Sequence, residues 1–360
     1  MPRANNASNV RNMDSTDELQ PGRLVRLGPA VLRLVAPNAS LMTGPGTNSY
    51  VLGNPPVAVL DPGPDDPEHL ARLRAAVPRL HFVFVTHTHR DHSCGARALA
   101  SATGAAIVGL PPPSDGLQDM SCVPTIPALH DTVFGLVADD AAGGSGRVAG
   151  SVDSAASGHA IQAPKSSQLR AIHTPGHASN HVCYLLEEEG LLFSGDHVLD
   201  GVTPVILPPD GDMSDYLESL ARLKRYHPKA IAPGHGRVLA DPIGVIDGII
   251  AHRARREAKV LAVLNAAGRG SLDELLPRVY DDVRAELLPI ARYSLEAHLI
   301  KLQREGRADV ERVADVQRQS PVERLPGAEG AVDAEGAARV EGRIWVSRVR
   351  ADAAPPAVRE

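Results

Sequence analysis

Residues 86–92 read Thr-His-Thr-His-Arg-Asp-His and follow directly on an apolar run at 82–85. Three imidazoles and a carboxylate between His87 and His92 are the nitrogen and oxygen donors that zinc favours. In extended backbone, side-chain direction alternates with period two, so His87 and His89 point the same way and can share one ion. Asp91 and His92 lie just beyond, where a turn aims them at a second ion beside the first. One cluster supplies too few donors for two ions, so later strand ends must contribute more. His177 in His-Thr-Pro-Gly-His (173–177), Asp196 in Ser-Gly-Asp-His (194–197) and His235 in Pro-Gly-His-Gly (233–236) meet that need. Each follows an apolar run and sits beside a glycine, where the backbone can turn sharply.

Two adjacent zinc ions sharing a water lower its pKa enough to supply a bridging hydroxide near neutral pH, and they polarise a carbonyl or phosphoryl group. Hydrolysis is therefore the expected reaction. No glycine-rich dinucleotide fingerprint accompanies the cluster, which argues against a flavin-linked redox role. The candidate catalytic residues are Asp91 and His181, the latter as a contact to the leaving group or the attacked oxygen. An ordinary loop position explains His181 equally well. Asp61, in Leu-Asp-Pro-Gly, reads either as a carboxylate supporting the ligands or as a plain turn residue. Cys94 reads as a small residue packing the next helix, with a thiol toward a metal as the alternative.

Strands and helices must carry these donors to one place. Short apolar runs bounded by Gly and Pro predict strands at 31–35, 50–52, 57–60 and 82–85. A helix is predicted from Asp66 as N-cap and Pro67 to Pro78, another at 93–103, then a strand at 105–110. This alternation is that of an α/β fold. Residues 138–167 are Ala, Gly and Ser with scattered charges, and are expected to form an insertion loop. Strands at 168–173, 182–186 and 191–194, a helix at 214–226 and a strand at 230–232 complete the core. Helices at 252–266, 271–283 and 291–305, with a strand at 343–347, suggest a winged helix whose wing is long. The expected domains are a disordered tail at 1–20, a catalytic domain at 21–250 and a winged-helix-like domain at 251–350.

At 360 residues with 43% hydrophobic composition the chain can bury a core in each of two domains. The formal charge of −6 excludes a globally basic nucleic-acid-binding surface. Aromatics make up 3%, so the core is expected to be mostly aliphatic. Cys94, Cys122 and Cys183 are odd in number and widely spaced, which points away from a disulfide framework and toward a reducing, cytoplasmic setting. No run suits a signal peptide or a membrane span, so no membrane partner is expected.

The four motifs, in this order and spacing, resemble those of the metallo-β-lactamase superfamily. The resemblance implies its αββα sandwich, with His87, His89 and His177 on one zinc, Asp91, His92 and His235 on the other, and Asp196 bridging. Residues 44–50, 185–189 and 298–307 extend the resemblance to the beta-lactamase-like protein 2 group, which adds a C-terminal winged helix. That group implies an endoribonuclease acting on single-stranded RNA; similar sequences imply hydrolysis of thioesters or lactones, including acyl-carrier-protein thioesterases and hydroxyacylglutathione hydrolase-like enzymes. The insertion and the enlarged wing are departures from the group. Arg253, Arg255, Arg256 and Lys259 form a basic run that favours RNA, whereas Asp273, Glu274, Asp281 and Asp282 and the scarcity of aromatic residues oppose it. A winged-helix binding protein with a vestigial hydrolase domain is the non-enzymatic alternative, which the full ligand set argues against.

Overall fold

The computed structural model describes residues 19–114, 118–137, 167–314 and 342–347. The expectations for the tail, the insertion and the long wing fall almost wholly outside these residues. Seven strands form the first sheet in sequence order: β1 (Leu24–Gly28), β2 (Val31–Val35), β3 (Asn48–Gly53), β4 (Pro56–Leu60), β5 (Phe82–Phe84), β6 (Ala106–Gly109) and β7 (Ile126–Pro127). β1 to β4 pair antiparallel and β4 to β7 parallel. Parallel neighbours need a crossover. Helix α1 (Pro67–Ala76) supplies it between β4 and β5, and α2 (Arg90–Thr103) between β5 and β6. The carboxylate of Asp66 accepts the His69 amide at 2.7 Å, so the predicted cap and Pro67 do start α1.

The second sheet contains β8 (Val133–Leu136), β9 (Ser167–His173), β10 (Val182–Leu186), β11 (Leu191–Gly195) and β12 (Ala230–Pro233), in the order β12-β11-β10-β9-β8. Side-chain alternation decides the layers. Tyr50 and Leu52 of β3, with Val182, Tyr184 and Leu186 of β10, enter the cluster between the sheets. Val51 instead meets Leu70, Leu73, Ala96 and Leu99 of α1 and α2, while Cys183 and Leu185 meet α3 (Met213–Lys224) and α4 (Pro242–Ala267). The result is a helix-sheet-sheet-helix sandwich. Its middle layer is mostly aliphatic, as expected, and it also takes in all four phenylalanines, Phe82, Phe84, Phe134 and Phe193. Phe84 contacts Phe134 and Tyr184 with ring centroids 5.3 Å apart in each case.

Beyond β13 (Arg269–Ser271), helices α5 (Leu272–Val279) and α6 (Leu288–Arg304) join α4 around Val260, Leu264, Leu276, Leu295 and Leu299. Strands β14 (Asp309–Ala314) and β15 (Gly342–Ser347) complete a three-stranded sheet ordered β13-β15-β14, as the winged-helix pattern requires. Helix α4 begins ten residues before the predicted start at 252. Asp241 caps it by accepting the Gly244 amide, and Pro242 follows in the first turn. No helix among the described residues is long and apolar enough to cross a membrane.

Candidate metal centre

β10 is antiparallel to β9 and β11, and β11 is parallel to β12, so β9, β11 and β12 point the same way. His177, Asp196 and His235 stand just past the C-terminal ends of these three strands, and His87 to His92 follow β5 of the other sheet. All seven predicted ligand residues are brought together. They sort into one group of His87, His89 and His177 and another of Asp91, His92, Asp196 and His235, within each of which the donor atoms lie within 4.8 Å of one another.

In the first group, His89 Nδ1 is 2.9 Å from His87 Nε2 and 3.1 Å from His177 Nε2. In the second, His92 Nε2 lies 3.4 Å from Asp91 Oδ2 and 3.3 Å from Asp196 Oδ1. His235 Nε2 lies 3.2 Å from Asp91 Oδ2 and 3.3 Å from Asp196 Oδ1. The other oxygen of Asp196, Oδ2, is 3.8 Å from His177 Nε2, so this one carboxylate faces both groups. Bonds of ~2.0–2.1 Å in a tetrahedral site imply donor separations of about 3.4 Å. The observed spacings fit a divalent ion in each group. Buried His92 Nε2 and Asp196 Oδ1 have no hydrogen-bond partner, as expected of atoms reserved for a metal. A dinuclear-type His/Asp site is therefore present.

The ring nitrogens of His92, His177 and His235 that face away from the cluster are held from behind. His92 Nδ1 is 2.9 Å from Asp61 Oδ2, His177 Nδ1 is 2.8 Å from the Val205 carbonyl, and His235 Nδ1 is 3.3 Å from the Gly46 carbonyl. Such contacts fix the tautomer that leaves Nε2 free to ligate. Fully buried Asp61 also accepts the Thr86 amide at 2.7 Å and its hydroxyl at 2.8 Å, and Thr86 Oγ1 is 3.0 Å from His87 Nδ1. One carboxylate thus organises ligands of both groups, which decides in favour of the supporting role for Asp61. Gly234 is required for close approach: a Cβ there would stand 2.6 Å from both Asp196 Oδ1 and His92 Cε1.

Electrostatics separates the two groups. Burial and the neighbouring imidazoles hold His87 well below the usual histidine range, and burial beside His89 pushes His177 down to about 4. These rings stay neutral. Burial also opposes charge on His235, yet the neighbouring carboxylates, Asp196 first and Asp91 beside it, raise it to about 10. Asp91 and Asp196 resist the upward push of burial through His92 and His235 and are held below the ordinary carboxylate range.

Two expected roles are not supported by the placement. His181 is fully buried behind the cluster, its ring 5.0 Å from that of His87 and its Nδ1 2.9 Å from Thr174 Oγ1. No part of the ring reaches solvent, so contact with a leaving group is closed to it in this structure. The basic run is likewise committed elsewhere. Arg253 donates to the Pro204 carbonyl; Arg256 donates to the Val279 carbonyl at 2.7 Å and makes a two-point pair with Asp282 at 2.7 and 3.0 Å; Lys259 pairs with Asp281. Only Arg255 of the four is exposed. The half-buried Cys94 thiol, pushed up to about 11 by burial and nearby Asp119, is not among the clustered donors.

Sequence reasoning missed the Thr86 hydroxyl and the Gly46 and Val205 carbonyls, and read Arg253 and Arg256 as part of a basic run for RNA where they are buried. The carbonyls leave no residue-type signal. Arg253 and Arg256 did leave one, because with Ile246, Ile249, Val260 and Leu264 they form a stripe at spacings of three and four along the buried face of α4.

Comparison with known proteins agrees with this geometry. Residues 42–235 match the metallo-beta-lactamase superfamily and residues 271–315 the beta-lactamase associated winged helix domain. A beta-lactamase-like protein 2 homolog of Drosophila melanogaster is 31% identical over 80% of this chain and 93% of its own. An atrochrysone carboxyl ACP thioesterase of Emericella nidulans is 28% identical over 68% of each chain. Among solved structures, a metallo-beta-lactamase family protein of Thermus thermophilus superposes with a TM-score of 0.59 at 21% identity, covering 79% of this chain and 97% of its own. With the seven donors at one edge of a paired-sheet sandwich and three helices and a small sheet beyond it, the chain belongs to the metallo-beta-lactamase superfamily and carries that superfamily's associated winged helix at its C-terminus.

Proposed function

We propose that this protein is a dinuclear zinc hydrolase of acyl thioesters. His87, His89 and His177 would hold one ion and Asp91, His92 and His235 the other, with Asp196 presenting one oxygen to each. When bound, the pair supplies an acidified water and an electrophile for the substrate carbonyl. The chain's own residues do the rest. Asp91 is the more open of the two carboxylates, 30% exposed against 13% for Asp196, and so is the one placed to meet a proton on the solvent side. Asp61 and the Gly46 and Val205 carbonyls hold the imidazoles in register. His181 supports His87 from behind.

The observation that carries the substrate class is the burial of Arg253 and Arg256 on internal partners, with Lys259 neutralised by Asp281 at the surface. An RNA strand needs a basic path along its phosphates, and the two buried arginines offer none. The thioesterase relatives support an acyl thioester instead. The complete donor set opposes the vestigial-hydrolase reading. We place the boundary between the expected 21–250 and 251–350 units within α4, whose Ile246 and Ile249 pack on the second sheet while Val260 and Leu264 pack in the winged helix. Three free thiols, Cys94, Cys122 and Cys183, support a reducing, cytoplasmic setting.

The test is a side-by-side assay of zinc-loaded protein on an acyl thioester and on single-stranded RNA. Thioester turnover that falls to the metal-free background in Asp196→Ala is the expected result. RNA cleavage without thioester turnover would replace this reading with a nuclease.

A further inference from the structure

The geometry points to Arg253, a residue of the helix shared with the winged-helix module, as a positioning residue for the imidazole of His177. This inference rests on His177 being a metal ligand. The loop between β11 and α3 passes the cluster, and two of its consecutive carbonyls are engaged on opposite sides. Val205 accepts from His177 Nδ1 at 2.8 Å, and Pro204 accepts from Arg253. A ligand ring and a helix 76 residues further along the chain are thus joined through a single residue, Val205, whose own carbonyl and that of the residue before it are the two acceptors.

Arg253 is itself held firmly. It is 3% exposed, and its guanidinium lies 5.6 Å from the centre of the Tyr216 ring. Tyr216 in turn donates to the His197 carbonyl at 2.9 Å and packs on Gly176, where a Cβ would come within 2.3 Å of the Tyr216 Cα. The residue just before His177 therefore rests on the same aromatic residue that backs the arginine. A buried guanidinium is costly unless its donors are used, and since Arg253 Nε has no hydrogen-bond partner, the bond from Nη2 to Pro204 is the one the group depends on. Its attachment to Pro204 fixes the carbonyl next in line, and that carbonyl sets the tautomer and tilt of His177. Neighbouring Arg256 provides an internal contrast: equally part of the buried stripe of α4, it reaches the Val279 carbonyl and Asp282 and does not touch this loop.

The experiment titrates Co2+ into the metal-free full-length chain and follows its visible absorption, with kcat and KM on a thioester and the melting temperature measured alongside. The parent should take up cobalt in two steps, and His177→Ala should lose one of them. Arg253→Met should weaken that same step by about tenfold and leave the other unchanged, a shift typical of removing a ligand's hydrogen-bonded support. kcat should fall with KM unaltered. Arg253→Lys, which keeps charge and stem, should recover part of the loss and decides the matter should the Met variant not fold. Arg256→Met should keep both parental steps whatever it does to the melting temperature. Adding Arg253→Met to His177→Ala should change nothing further in the remaining step. Parental cobalt binding in both Arg253 variants overturns the proposal, as does an equal loss in Arg256→Met or a further loss in the double variant. Two parental steps in His177→Ala would instead refute the ligand assignment itself.

Discussion

Asp61 is the residue whose chemistry reaches furthest for its size. Its two oxygens hold the amide and hydroxyl of Thr86 and the back of His92, and through Thr86 they reach His87. Removing it should therefore loosen a ligand in each metal group and not in one alone. Asp61→Ala is expected to weaken metal binding by roughly 10- to 100-fold, the range for lost outer support of a ligating imidazole. Equilibrium dialysis against a chelator of known affinity checks this, and parental retention of both ions would show that the turn alone explains the aspartate. The clustering of the seven donors was legible in the sequence because H-x-H-x-D-H is local and because each later donor sits beside glycine at a strand end. The role of Asp61 was only half legible. An Asp-Pro-Gly turn has the same letters whether or not its carboxylate finds a partner 25 and 31 residues away.

Among the elements, those with a strong period or clear punctuation were legible: β2, β4, β5, α1, β10 and β11 lie close to their expected limits. β1 and β8 were not, since Leu-Val-Arg-Leu-Gly and Val-Phe-Gly-Leu gain their meaning only from pairing with β2 and β9. The start of α4 escaped because Ile-Gly-Val-Ile-Asp-Gly-Ile-Ile reads as an apolar, glycine-broken stretch, although Asp241-Pro242 ahead of it is a sound helix start. Further along this helix, Glu257 ties α4 to α6 and to the segment after it, with Lys301 Nζ at 2.8 Å, Arg307 Nη1 at 2.9 Å and His298 Nδ1 at 3.7 Å. Burial alone would raise its pKa, but His298 and Lys301 overcome that and bring it from 4.5 down to about 2. A depressed carboxylate adds stability above its unfolded value and gives it up as pH falls through its folded one. The winged helix should accordingly weaken between about pH 4.5 and 2. Glu257→Gln should cost about 1–2 kcal/mol at neutral pH, allowing for solvent screening, and should flatten that acid limb. Urea melts across pH would reveal the difference; identical acid limbs in the two proteins would dissociate Glu257 from it.

For the molecule as a whole, α4 makes removal of the winged helix a more disruptive operation than the sequence suggests. A stop after residue 250 takes away Arg253 and also Ala297 of α6, which belongs to the core cluster on the second sheet. Such a fragment should aggregate, by light scattering, where the full chain does not. The seven donors carry another consequence. Four stand on the sheet of β5 and three on the sheet of β9, β11 and β12, and Asp91 and His92 share their group with Asp196 and His235 across the gap. In mechanical terms an ion placed there is a rivet between two plates that are otherwise joined by a greasy layer of aromatic and aliphatic side chains. Anything that binds the folded state alone stabilises it by mass action, by about 4 kcal/mol at a free concentration a thousand times Kd. Chelation should therefore lower the melting temperature in proportion to the logarithm of free metal, and amide exchange should quicken first at the β5, β11 and β12 ends that the rivet joins, leaving the strand ends remote from the donors protected longest.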